Sequence, residues 1–414
     1  MTHWLVVGGG TAGCVLAARL GEDVGNQVTL VEAGPAIAGS AALSYLDDLA
    51  APQLLWPGLV VHDGQDDTRP YPQGRGLGGS GLVNGSVLSG GDLPQYAEWG
   101  WTGVVAARSR VQIPSEPVAI EHLGPVDRAL LGSARDGVRA VLSRRAGRRV
   151  TTAHAYLLAG PRRSNVDVVA NTHVARITTD HGRATGIVTI GGDRMPADRV
   201  VCAAGAIHSP ALLLRSGITT PGIGASLTDH PSRSIELAVR PEARSDPHSL
   251  VTGAALRRGR VEIVALNHLG AQRPGAAAML VGLLRTARRG SVRLDPDRPD
   301  DPLAPPVVDF GRLDHPDDRR WLDDGIALAT RILAGPGFDD ILDGFEVGDG
   351  FGGYAHATST CRMGAVVDDH GAVIGYEHLY VGDASVFPDI PASGTYLPTV
   401  LLAERLAALW RAAG

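Results

Sequence analysis

Three glycines near the start of the chain have the spacing of a phosphate cradle. Gly8, Gly10 and Gly13 form G-x-G-x-x-G. Gly8 turns the chain off a strand, Gly10 lets a pyrophosphate approach the backbone, and Gly13 lets the following helix pack close to the sheet. Thr11 and Ala12 open that helix, whose free N–H groups and positive dipole end point at the phosphate. Glu32 follows about 20 residues later, with Ala33 behind it, where a carboxylate can accept both hydroxyls of an adenosine ribose. That carboxylate repels the extra phosphate of NADP. The motif by itself leaves FAD and NAD open.

These residues need a strand before the glycines, a helix after them and a second strand ending at the acid. Trp4 to Val7 is a short apolar run suited to a strand buried on both faces. Val15, Leu16 and Leu20 give the helix an inner face, and Val28 to Val31 supply the second strand. A second glycine-rich stretch runs from Pro72 to Gly85. Its glycines, among them Gly78, Gly79 and Gly85, let backbone lie flat against a large ligand. Arg75 adds a fixed positive charge, and Ser80 and Asn84 add hydrogen-bonding groups.

This second stretch resembles the first signature of the glucose–methanol–choline (GMC) flavoprotein oxidoreductases, GRGLGGS-x-x-x-NG. PQYAEWGW, at Pro94 to Trp101, is similar to the family's segment just after that signature. The resemblance implies FAD, wrapped by this loop. Some members attach FAD through a His just before the Asn; that position is Val83 here, which implies non-covalent FAD. A second stretch of resemblance runs from Val200 through Ala204 and Gly205 to Gly217, with Thr219 where the family has glycine. There the family sets a peptide turn beside the dinucleotide phosphates, and the residue matching Val174 contacts the adenine by its backbone. His208 replaces a usually small residue and is expected to be structural or on the surface. Asp229 and His230, in a G-x-x-L-x-D-H-P match, are expected to be structural.

The resemblance is most continuous from Tyr354 to the end. His356 matches the active-site His of H-x-x-x-T-C-x-M-G. Alcohol oxidation needs the hydroxyl proton removed while the α-hydrogen leaves as hydride to flavin N5, and imidazole suits the first task. The family places the residue matching Asp383, followed by Ala384, against the ribityl and pyrophosphate region. The final helix, preceded by Thr395, points its N-terminus at the pyrimidine edge of the flavin. Relatives usually carry a second His or Asn before that helix. The matching position here is Gly394, so Ser393, Thr395, Tyr396 or water is left to supply the missing contact.

The fold class expected is α/β (α+β overall), a Rossmann-like FAD-binding domain with a second domain built on an antiparallel sheet. The first comprises residues 1–101, 147–231 and 350–414, the second 232–349, and 102–146 is a lid or connecting region. Val126 to Leu142 has the spacing of one amphipathic helix. Strands are expected at Ser234–Val239, Val261–Leu266, Ala278–Leu284 and Gly290–Leu294, a loop at Pro302–Asp309 and a helix at His315–Leu333. Residues 34–72 read as irregular, with Asp63, Asp66 and Asp67 in a solvated loop. Arg257-Arg258 and Arg288-Arg289 read as solvated edges.

The chain of 414 residues has a net charge of −6, which argues against a nucleic-acid partner. Every one of its 38 basic residues is Arg. Cys14, Cys202 and Cys361 are too scattered for a disulfide framework or zinc site, and no metal is expected. The first strand begins within a few residues of Met1, leaving no room for a signal peptide, and no apolar run reaches the roughly 18 residues of a membrane span. A cytoplasmic protein is expected, with peripheral membrane contact left open.

The resemblance implies an FAD-dependent dehydrogenase that oxidises an alcohol CH–OH to a carbonyl, with His356 as base and an acceptor other than NAD, such as a quinone or redox protein. Length and composition are also similar to the short GMC proteins associated with mycofactocin, which makes reduced mycofactocin a candidate donor beside small alcohols. Gly394 keeps two alternatives open: a non-redox, hydroxynitrile-lyase-like member, and an FAD-retaining binding or assembly protein.

Overall fold

The computed structural model of the chain describes residues 1–36, 42–64, 68–90, 93–160 and 163–412. Its first sheet has five parallel strands in the order Val166–Val169, Asn26–Val31, Thr2–Val7, Arg199–Cys202, Leu379–Val381. The runs WLVV and VTLV are buried on both faces, as a parallel sheet covered by helices requires. The register aligns the carboxyl ends: Val7 pairs with Val31 and Cys202, Val169 with Val31, and Val381 with Cys202. Loops leaving one level therefore converge, which is where open α/β sheets bind ligands.

Helix Thr11–Leu20 packs on the last helix, Tyr396–Ala412, inside the same core. Gly13 sits where a Cβ would lie 1.9 Å from the Gly8 carbonyl oxygen, so only glycine permits this contact between helix and turn. Arg19 and the buried Glu404 tie the two helices at 2.8 Å, and Tyr156 Oη donates to the same carboxylate at 2.8 Å.

The second large sheet is antiparallel, ordered Leu342–Val347, Pro231–Val239, Ala276–Leu283, Val261–Leu266, Ala254–Arg258, Gly137–Arg139. Three expected strands fall in it. The fourth, Gly290–Arg293, belongs instead to a separate five-stranded sheet with Ala225–Leu227, Val307–Asp309, Val60–His62 and Thr68–Pro70. Strand Val307–Asp309 lies in the stretch expected to be loop, and two of the other strands lie in the stretch expected to be irregular. Helix Pro316–Leu333 has His315 as its N-cap, the imidazole accepting from Asp317 N.

Several expectations need correction. Val126–Leu142 is not one helix: Pro125–Ser133 is helical, and Gly137–Arg139 and Val141–Leu142 are strands. Residues 102–146 divide, Val104–Arg110 packing on the C-terminal helix while Pro125–Ser133 and Gly137–Arg139 lie with the second sheet. Asp63 is not a solvated acid; it pairs with Arg69 at 2.6 Å and with Arg288. Asp66 and Asp67 lie outside the described residues. Arg288 is buried, donating to the Phe310 carbonyl at 2.9 Å, because the loop it crosses would otherwise leave carbonyls without donors. Among the described residues no helix is long and apolar enough to cross a membrane.

Candidate active site

One cavity of about 650 Å³ runs from the ends of the parallel strands to the wall of the antiparallel sheet. All the expected cofactor residues line it except Gly13 and Gly78, which pack behind it. Gly78 instead donates its N–H to the Gly9 carbonyl at 2.7 Å, joining the two glycine loops. At their crossing a Cβ on Gly79 would lie 2.7 Å from Gly10 Cα, so residue 79 cannot carry a side chain there without moving the first glycine loop.

Glu32 is buried at 5 % exposure, and its oxygens accept N–H bonds from Gly9 and Gly34 at 2.7 Å and Gly76 at 3.1 Å. A carboxylate has about four acceptor positions, so about one remains for a ribose hydroxyl where two had been expected. Burial pushes this carboxyl up, against the three amides and the Arg75 charge. Asp383 is likewise engaged: Oδ2 accepts from Gly205 N at 2.8 Å and Ser209 Oγ at 2.5 Å, and Oδ1 from Ser385 N at 2.8 Å. It fixes the Gly205 turn against the last strand of the parallel sheet.

Arg75 donates to the Ala33 carbonyl at 2.9 Å and lies over the Trp56 ring. Trp56 stacks on His208 with ring centroids 4.0 Å apart, in the same part of the cavity as Val174. His208 is therefore no surface residue. Burial, then the nearby His173 and Arg215 charges, lower its pKa to about 3.

Arg149 was not singled out by sequence. Its guanidinium is fully buried and binds Asp48 at 3.0 Å and both the carbonyl and side-chain oxygens of Asn84 at 2.6 Å. It pins the end of the second glycine loop. Nothing local distinguishes it from the exposed Arg148.

At the far end of the cavity lies His356, whose Nδ1 is 2.9 Å from Nδ1 of His230. His230 Nε2 lies 2.9 Å from the Pro391 carbonyl, which can only accept, so that nitrogen carries the proton. His230 Nδ1 is then the acceptor and His356 Nδ1–H the donor, which leaves His356 Nε2 with a free lone pair. Asp229 holds both histidines: Oδ1 accepts the backbone N–H of His230 at 2.7 Å and of His356 at 2.9 Å. Its Oδ2 accepts from Tyr71 Oη at 2.9 Å. Asp229, His230 and His356 are the one group of metal-ligating type among the described residues, and hydrogen bonding accounts for their proximity. Asp229 and His230, expected to be structural, thus position the His356 imidazole. Burial lowers the pKa of His356 to about 4, and burial with the His356 charge lowers that of His230 to about 3.

Gly394 faces this imidazole, a Cβ there lying 3.8 Å from His356 Cε1. The same Cβ would meet Ser89 Oγ at 2.7 Å, and Gly394 N–H donates to that oxygen at 2.6 Å. Of the residues expected to fill the gap, Ser393 is buried and donates to the Gly394 carbonyl, while Thr395, whose carbonyl accepts from Thr399 Oγ1, and Tyr396 both line the cavity. Ser89, 305 positions away in sequence, carried no signal of its own.

The comparisons agree with this geometry. Two family models described as GMC oxidoreductase match residues 120–232 and 286–403, together more than half of the chain, and a Rossmann-like NAD(P)-binding model matches residues 6–63. The chain belongs to the GMC oxidoreductase family. It is 28% identical to a 5-(hydroxymethyl)furfural oxidase of Methylovorus sp., covering 98% of this chain and 97% of the relative. It is 27% identical to an oxygen-dependent choline dehydrogenase of Rhizobium etli, over 98% and 94%. The first of these alignments runs over 524 positions, so over a hundred have no counterpart in this GMC chain. In fold it resembles pyridoxine 4-oxidase from Mesorbium loti, with TM-score 0.88, 21% identity and 100% and 99% of the two chains covered.

FAD is the group this family implies, and the cavity fits it. The helix opening at Thr11 has Gly10 as N-cap and no side-chain cap, so its first N–H groups are left for a ligand. A Cβ on Gly10 would meet nothing closer than 3.9 Å, which is the clearance a pyrophosphate needs. Arg75 Nε and Tyr396 Oη, both on the lining, are buried without a partner.

Proposed function

We propose that this GMC oxidoreductase binds FAD non-covalently and oxidises a small alcohol CH–OH to a carbonyl, with His356 as base. The carrying observation is the His230–His356 pair, which directs an unprotonated Nε2 into the same cavity that the dinucleotide loops line. Bound FAD supplies the hydride acceptor for the α-hydrogen and its electron pair. The chain's own residues handle the rest. His356 Nε2 takes the hydroxyl proton as the C=O bond forms. His230 and Asp229 hold the ring so that Nε2, not Nδ1, meets the substrate. Residues of the antiparallel sheet, including Ala254, Val264, Leu266 and Leu280, give the cavity a mostly apolar wall, and the one carboxylate among its lining strands, Glu262, is held by Arg257 at 2.7 Å.

Val83 supports non-covalent attachment, since it offers no nucleophile where the covalent members have His. The names of the relatives, which are oxidases and a dehydrogenase of small molecules, support a small alcohol as donor. Reduced mycofactocin stays among the donors on the strength of the short chain, and a quinone or redox protein stays the acceptor. Three buried free thiols suit a reducing cytoplasm. The test is turnover of an alcohol panel and of reduced mycofactocin with dichlorophenolindophenol as acceptor. Dye reduction that requires FAD and is lost in His356→Ala supports the reading; cyanohydrin cleavage without dye reduction contradicts it.

A further inference from the structure

The cavity holds a hydroxyl opposite His356 that has no part in the chemistry described so far. Ser89 lines the cavity beside Gly394 and His356. Its Oγ accepts the Gly394 N–H at 2.6 Å, which fixes where the oxygen sits. The hydroxyl hydrogen has no acceptor among the described residues, and a hydroxyl has one donor to give. The oxygen also occupies space that a side chain on residue 394 would need, since a Cβ there would lie 2.7 Å away. That Cβ would in turn lie 3.8 Å from the His356 ring, so Ser89 Oγ and His356 flank one small volume of the cavity.

We propose that Ser89 is the second polar group of the alcohol site, donating its O–H to the substrate oxygen while His356 Nε2 removes that oxygen's proton. The assignment rests on the alcohol-oxidising reading. The proton passes from substrate oxygen to His356, negative charge gathers on that oxygen, and the Ser89 hydroxyl stabilises it without itself losing a proton. The Ser89 hydroxyl does not titrate, whereas His356 and the His230 imidazole that it touches at 2.9 Å both do. Ser89 therefore adds no ionisation of its own to the pH dependence of flavin reduction. A bulky residue at 394 and a hydroxyl at 89 are alternatives for the same space.

The test compares wild type, Ser89→Ala, Gly394→Asn and the double variant as FAD-loaded protein, with His356→Ala in parallel. Benzyl alcohol is the probe, and anaerobic flavin bleaching is the readout. Removing one donor to a developing oxyanion lowers the limiting rate by about 10²- to 10³-fold, with FAD content and the shape of the pH profile unchanged. Gly394→Asn lowers thermal stability while Ser89 is present, and the loss is relieved when Ser89→Ala empties the space. The double variant regains rate, because the Asn amide donates where the serine did. A Ser89→Ala enzyme that bleaches at the wild-type rate overturns the proposal. So does a Gly394→Asn stability loss that is the same in both backgrounds, a result that needs no turnover. If His356→Ala also bleaches normally, the alcohol-oxidising reading falls with it; if His356→Ala is inactive and only Ser89→Ala is silent, this assignment falls alone.

Discussion

Nδ1 of His230 and Nδ1 of His356 lie 2.9 Å apart with their rings nearly perpendicular, at 86°. Because the Pro391 carbonyl claims the proton of His230 Nε2, this one contact decides which nitrogen of His356 is basic. Replacing His230 by Leu leaves the His356 Nδ1–H buried without an acceptor, a cost of about 1–3 kcal/mol. The limiting rate of flavin bleaching is then expected to fall on the order of 10- to 100-fold. His230→Asn, whose amide oxygen can replace the lost acceptor, recovers part of it. A structural role alone would lower stability in both variants without separating their rates. Rates measured against pH check this.

Acid stability follows from the same burial. His356 has its pKa lowered to about 4, and His230 and His208 to about 3, against an ordinary value of 6.5. Between those values and 6.5 the unfolded chain binds protons that the folded chain refuses, so stability falls as pH drops through that window. Below the folded values the contribution is flat. Melting temperature is expected to decline on acidification from pH 6.5, and His208→Phe, which keeps a ring against Trp56, is expected to flatten the decline.

Much of the dinucleotide cradle was legible because close approach of backbone to backbone dictates residue type. Gly79 crosses Gly10 so closely that a Cβ on residue 79 would lie 2.7 Å from Gly10 Cα, while Gly10 keeps its own Cβ side open for a ligand. The strand, helix and strand around them follow the periods of buried parallel sheet and amphipathic helix. The other half of the site was not legible, because its contacts join distant positions through residues without a local signature. Ser89 reaches Gly394 across 305 positions, and Arg149 reaches Asp48 across 101. Arg288 looks like a surface arginine in sequence and is buried only because Asp63 and the Phe310 loop close over it. The Gly290–Arg293 strand has the right pattern for any antiparallel sheet, and the pattern cannot say which sheet it joins.

Arg149→Ala is expected to destabilise the protein by roughly 3–5 kcal/mol, since it leaves the Asp48 carboxylate buried and unpaired. FAD content is expected to fall with it, because the Asn84 end of the second glycine loop loses its anchor. Arg149→Lys keeps a charge but not the fork that reaches both Asp48 and Asn84, and is expected to recover only part of the loss. Thermal melts and the ratio of flavin to protein absorbance measure both effects.

Val83 predicts how the flavin leaves. Acid precipitation of the holoprotein is expected to release the yellow chromophore to the supernatant as intact FAD. Flavin retained on the pellet contradicts the non-covalent assignment.

The central claim is that His356 and the dinucleotide loops serve one reaction in one cavity. The most direct measurement is the visible spectrum of the FAD-loaded protein, mixed anaerobically with alcohols and with reduced mycofactocin. Bleaching of the flavin bands by at least one donor is expected, slowed on the order of 10²- to 10⁴-fold in His356→Ala, as loss of a general base requires. Bleaching at an equal rate in both proteins contradicts the claim.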